Sequence, residues 1–255
     1  MQTQIDLSVF RRFQFEHKLV AVKFAHTRPQ DIPPFNKKVA FCEMLREAQV
    51  SDHPFYVSPE NHDCLAALVA LGISESNPIF EGGYVGPRLD VYEEPRANQR
   101  VYLHAPRMPR GVVRYVVFSG IEGLSFDPDL LIVTARPHQA EILLRATSYR
   151  TGAPWAARGS VVLGCSYLYV YPYLTGELNF LVTGLHHGMK ARQLFPEGLL
   201  LMSIPYDKIP AIVDSLRTMK WDLPQYALGK EGHIRRVKEI VTAIEEEFSQ
   251  EATNR

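Results

Sequence analysis

Cysteine is scarce in this chain: three in 255 residues, at Cys42, Cys64 and Cys165, with none forming a CxxC or other compact ligand pair. An odd number of widely spaced thiols excludes a disulfide framework as the organising feature of the fold. Net charge is missing too, with 28 Lys and Arg set against 28 Asp and Glu. No global field therefore draws the protein toward a polyanion, and neither nucleic acid nor a membrane is expected as a partner. Long apolar runs are absent, and the opening MQTQIDLSVFRRFQF has no uninterrupted apolar core, which together predict a cytoplasmic protein. A GxxxxGKS or GxxxxGKT phosphate loop is lacking, and EGGYVGPR has no strand-to-helix setting, so no nucleotide cofactor is expected.

What is present is a large apolar fraction, 46% of the residues, enough to bury a substantial core. Leu7, Phe10 and Phe13 have helical spacing, and KLVAVKFA at 18–25 alternates like a strand. After the proline-rich loop RPQDIPPFNKK, VAFCEMLREAQV reads as a helix with Cys42 near its start. PFYV at 54–57 is a short strand. Ser58 and Pro59 suit the cap and first turn of a second helix that Gly72 closes, which puts Cys64, Ala67, Leu68 and Leu71 on one inward face.

Residues 74–110 are rich in breakers around a predicted strand at QRVYLHA. VVRYVVFSG reads as a strand, and DPDLLIVTARPHQAEILLRATSYR as a buried strand leading into a helix near Pro137, with His138 in its first turn. GSVVLGCSYLYVYPYLTGELNFLVTG predicts strands with intervening turns, the alternating Tyr167, Tyr169, Tyr171 and Tyr173 forming one strand face. EGLLLMSIP is a further strand before a helix at about 206–219, and HIRRVKEIVTAIEEEF makes a charged amphipathic terminal helix. The expected class is α/β or α+β, a mixed sheet with flanking helices, in one globular domain over 1–255 or two intimate subdomains divided near 111.

Taken together, VAVKF, FCEMLREA, the ENHDC segment, FDPDLLIVTARPHQAEILLRA and GCSYLYVYPYLTGELNFLVTG resemble domain-of-unknown-function family 169 over nearly the whole chain. The resemblance implies cysteines at the places held by Cys42, Cys64 and Cys165, then a proline and glycine segment like PYLTGELN and a late strand like LLLMSIP. It implies no activity. After Gly184 the chain departs from the family pattern, carrying the paired His186 and His187 of GLHHGMKAR.

Thiolates are the usual ligands of iron–sulfur clusters, and three of them on a cubane leave one iron open to another ligand. With the resemblance, this points to a four-iron four-sulfur cluster as cofactor, its metal held by Cys42, Cys64 and Cys165. Such a site would act on a small-molecule substrate in sulfur removal, lyase or redox chemistry, or serve a redox partner, with His62, His138 or His187 transferring protons. Other readings stay open on the residues alone. They are a zinc ion held by the three cysteines and His62, a thiol nucleophile activated by one of those histidines, and cysteines that only pack the core of a non-catalytic ligand-binding or accessory protein. Lys190 and Arg192 could bind an anion, against the commoner role of solvated charges.

Overall fold

A computed structural model describes residues 5–253, so residues 1–4 and 254–255 of the single-domain reading lie outside the described residues. Two compact units divide the chain, Met1–Ser215 and Leu216–Arg255. In the first, β-branched and apolar segments form the strands, as their pattern predicts. A 3-10 turn at Ser8–Phe13 precedes β1 (Val20–Ala25). α1 (Phe41–Val50), β2 (Phe55–Val57) and α2 (Leu65–Ala70) follow. The short helices α3 (Pro78–Glu81) and α4 (Val85–Arg88) lead to α5 (Pro95–His104) and β3 (Tyr115–Gly120).

The second half of this unit contains β4 (Leu130–Ala135), α6 (Pro137–Ser148) and a π-helix at Ser166–Val170 that continues into α7 (Tyr171–Thr175). Then come β5 (Asn179–Val182), α8 (His187–Ala191) and β6 (Leu200–Pro205), and α9 (Ile209–Thr218) runs across the division at Ser215. The six strands make one sheet in the order β2-β3-β1-β4-β6-β5. Every ladder between these strands is antiparallel, from Val20 opposite Gly120 to Leu130 opposite Pro205. Parallel pairing occurs at two isolated bridges, Pro34 with Tyr56 and Val39 with His62. Helices flank the sheet, giving the mixed α and β class expected.

Alternation of side chains divides the sheet into two faces. Val20, Val22, Val116, Phe118, Leu130, Ile132 and Leu201 join Phe41, Met44 and Leu45 of α1 in one apolar cluster. Leu131 and Val133 point the other way, where α6 packs on β4 and β6. Pro137 opens α6, and Gln139 Oε1 accepts from the Arg136 N–H at 2.8 Å, satisfying one orphan donor of the first turn. Glu43 does the same for α1, accepting from the Ala40 N–H at 2.8 Å.

Three predicted elements differ. QRVYLHA is the last part of α5 rather than a strand, because Pro95 starts a helix on which Asn98 and Tyr102 are buried four residues apart. The helix expected after Pro59 is broken at His62–Cys64. There the backbone is extended and pairs with Val39: Val39 N–H donates to Asn61 O and Asp63 N–H to Val39 O, each at 2.9 Å. The tyrosine-rich segment is helical rather than extended, with only Asn179–Val182 of that region in the sheet. Helix-compatible signals, Pro172 at a first turn and Gly176 in the left-handed region at φ 66°, outweigh the β-propensity of the tyrosines.

In the second unit, Pro224–Ala227 forms a 3-10 turn and α10 (Gly229–Thr253) is the long terminal helix. Among the described residues no helix is long and apolar enough to cross a membrane.

Candidate functional site

Each cysteine sits where a helix begins. Cys42 is the second residue of α1, Cys64 immediately precedes α2, and Cys165 immediately precedes the π-helix. The parallel bridge between Val39 and His62 runs the approaches to α1 and α2 side by side, so Cys42 and Cys64 enter their helices next to each other. The Phe41 ring extends this pairing, stacking on His62 at 5.5 Å and meeting Tyr169 edge-on at 4.7 Å. Tyr169 thereby ties the π-helix, and with it Cys165, to the start of α1. Fully buried Asn179 holds that helix from below, its amide donating to Tyr167 O at 2.8 Å and to Arg158 O at 2.9 Å.

The three thiols all pack against the same apolar core, each retaining some accessible surface. Burial pushes the Cys42 thiol up to about 11, the nearby Arg192 guanidinium opposes this, and charge on Cys64 raises it further. Burial also raises Cys165, with added repulsion from Cys64 and Cys42, while the backbone N–H groups of Ser166 and Cys165 favour its thiolate. Cys42 and Cys165 thus each sense charge on another cysteine, although 21 and then 100 residues separate the three in the chain.

Tyrosines complete the surroundings. Tyr102 of α5 is pushed up to about 12, first by burial and then by Cys64. Tyr169 is raised well above the ordinary phenol value by burial, with Cys42 and Cys165 adding to it, and its buried hydroxyl has no hydrogen-bond partner. Ser166, one turn earlier, also buries an unpartnered hydroxyl. Such groups are costly unless something else meets them. Leu163, two residues before Cys165, holds φ at 59°, a conformation that costs a bulky L residue about 1 kcal/mol or more. A π-helix beside a strained residue is a pairing that often marks functional sites.

Replacement of Tyr169 by Phe is expected to raise the stability of the metal-free protein by about 1 kcal/mol, because it removes an unsatisfied buried hydroxyl while keeping the ring. Denaturant unfolding reads this directly. A loss of similar size would show instead that the hydroxyl is hydrogen-bonded.

Of the three histidines expected to move protons, His62 adjoins this constellation through its stack on Phe41. It is 4% exposed, with neither ring nitrogen hydrogen-bonded, and burial lowers its pKa to about 4, so at neutral pH it is an uncharged imidazole and not a proton store. It sits on extended backbone instead of a helix. His138 is exposed on α6, whose buried residues lie outside the thiols' core cluster, so the structure does not bring it to them. His187 is half-buried at the start of α8, its backbone N–H donating to Val161 O at 2.8 Å.

The neighbouring His186 is the more enclosed of the pair. It is 5% exposed and lies against Gly164, where an added Cβ would come within 3.1 Å of its Nδ1. Burial holds its pKa below the ordinary 6.5. The folded protein therefore resists protonating it while the unfolded chain does not, so its contribution to stability is complete above about pH 6.5 and declines as pH falls. His17 and His62 are lowered as well and share this slope. His186→Phe is accordingly expected to lose less stability than the natural protein between about pH 7 and about pH 5, compared by urea unfolding at both. Equal losses would contradict it.

Tyr102, Tyr169, Ser166 and Asn179 escape a reading of the sequence because their roles depend on the helical form of 164–175 and on α5. The signal that could have found them is the PYLTG helix ending. Arg192 was legible only as a cation; the structure adds that it sits beside Cys42 and Glu43, its Nε 3.4 Å from Glu43 Oε2.

Among the described residues no group of three or more His, Cys, Asp and Glu side chains is placed to hold a metal ion. The zinc arrangement of three cysteines with His62 thus finds no support in the geometry. A cubane makes a different demand, since it occupies the space between its thiolates and each binds a separate iron. Three thiols packed against one core, backbone N–H groups at the Cys165 sulfur and the unpartnered hydroxyls of Ser166 and Tyr169 are donors of the kind such a group would use.

No curated protein and no solved structure matches the chain. One family model does, across residues 11–215. With that much of its length matched, the chain belongs to domain-of-unknown-function family 169, described as uncharacterised ArCR.

Proposed function

We propose that Cys42, Cys64 and Cys165 hold one four-iron four-sulfur cluster and that the protein uses it on a small molecule, in sulfur removal or a related lyase or redox reaction. The observation that carries this reading is the packing of three cysteines, delivered by three separate helix starts, against one apolar core. When bound, a cluster with three protein thiolates supplies an open iron that polarises a ligand atom. The residues around it have definable tasks. Apolar side chains of the core exclude water, which strengthens every charge interaction at the site. The N–H groups of Cys165 and Ser166 stabilise negative charge on the Cys165 sulfur, and Arg192 does so for Cys42. Tyr169 offers a hydroxyl that remains protonated across the working pH range and can donate to an anionic atom.

A second reading is favoured by the same burial. Thiols raised this far are neutral at pH 7 without a metal, and would then serve as small apolar groups in a ligand-binding or accessory protein. Metal binding would reverse that by displacing the protons. Iron and acid-labile sulfide analysis of protein purified without oxygen separates the two. About four of each per chain, with a brown colour, is the expected result, and the absence of both overturns the cluster.

A further inference from the structure

The helix α10 exposes a continuous apolar stripe: Ile234, Val237, Val241, Ile244 and Phe248 are between 42% and 68% exposed. Their spacing is three, four, three and four residues, the alternation of a two-stranded coiled-coil seam. Apart from Ile240, which flanks the seam, and Ala243, positions away from it are polar, with Arg235, Arg236, Glu239, Thr242, Glu246 and Ser249 on the outer surface. There Arg236 and Glu239 pair along the helix at 3.2 Å. Helices that are not packed against a partner are marginal in water, so a seam of this kind stabilises the helix only when covered.

We infer that α10 pairs with α10 of a second copy of this chain, in antiparallel orientation. The charges beside the seam select both the partner and the direction. Lys238 and Glu245 each follow an inner seam residue and are exposed. In an antiparallel pair these flanking positions face each other. When Val241 of one chain opposes Ile244 of the other, and Val237 opposes Phe248, Lys238 meets Glu245 of the second copy on both sides of the two-fold axis. A slip of one heptad in either direction sets Lys238 against Lys238 or Glu245 against Glu245. Parallel pairing instead faces Lys238 with His233 and Glu245 with Ile240, neither an attractive pair. The antiparallel register thus covers four apolar layers and makes two attractive pairs, with Ile240 facing Glu247 on the opposite flank.

Sedimentation equilibrium of the full chain tests this. The natural protein is expected to have twice the mass of one chain at concentrations up to about 0.1 mM. Val241→Asp with Ile244→Asp is expected to be monomeric, with circular dichroism showing that the sheet-containing unit is still folded. Lys238→Glu alone and Glu245→Lys alone should each weaken the dimer by roughly tenfold, since each replaces two attractive pairs by repulsive ones. An equimolar mixture of those two variants restores both pairs and should recover the natural affinity. A monomeric natural protein overturns the inference, whether the helix folds back on its own chain or awaits another protein. So does a dimer indifferent to the charge reversals, or a mixture no tighter than its components, because pairing would then be parallel or through another surface.

Discussion

Alanine at Cys42, at Cys64 or at Cys165 is expected to remove iron and acid-labile sulfide to the same extent, leaving under a tenth of the content of the natural protein in each variant, roughly. Equality is the informative part. A cluster sharing three protein thiolates loses a third of its protein ligation whichever one is removed, and the two that remain hold it too weakly to retain it in water. Cysteines that only pack would behave differently. Their replacement by alanine deletes one buried sulfur and costs about 1 kcal/mol at sites of unequal enclosure, with no metal to lose. Serine variants keep the volume and hydrogen-bonding capacity while weakening ligation, so metal loss in both series excludes a cavity as the cause. Should the natural protein and all six variants lack iron equally, and differ only in unfolding midpoint, the thiols are structural.

Replacing Phe41 by Ala is expected to cost about 3–5 kcal/mol of unfolding free energy, the range for deleting a fully buried aromatic ring. Phe41 is 1% exposed and touches three other rings: His62, Phe118 at 5.5 Å and Tyr169. It therefore connects the approach to α2, strand β3 of the sheet and the π-helix. Its loss opens a cavity that these three elements cannot close together, because each is held by backbone hydrogen bonds elsewhere. Phe41→Leu keeps much of the volume and should cost less than half as much. Because Cys42 is the next residue, the alanine variant should also retain less iron. A cost below about 1.5 kcal/mol would mean that the cluster of rings does not organise the site.

Local signals served well where one element satisfies its own requirements. LLIVTARPHQAEILLRA contains a continuous apolar run, a proline suited to a first helical turn and an amphipathic period, and it folds as β4 and α6. FCEMLREA likewise carries its cap in Glu43 and its buried face in Met44, Leu45 and Ala48. Such pieces were visible because their physics is confined to a few neighbouring residues. The segment from Ser58 to Leu71 was not, since the extended turn at His62 exists to pair with Val39, more than twenty residues away. SYLYVYPYLTG failed for a related reason. Tyrosine has intrinsic β-propensity, but the packing of Tyr169 on Phe41 and the clamp of Asn179 on the Tyr167 carbonyl reward a helix.

The same division holds for the thiols. By itself the sequence determined their number, their freedom from compact pairing and the helix start that Cys42 would occupy, all consequences of composition and local periodicity. Only tertiary structure decided that the three cysteines pack against one apolar core, that His62 stacks on the ring preceding Cys42 while His138 lies exposed on α6, and that Tyr169 buries an unanswered hydroxyl. Convergence of this kind depends on one parallel bridge and one ring contact between distant segments. Neither leaves a periodic trace, because burial rewards the assembled cluster and no single segment within it.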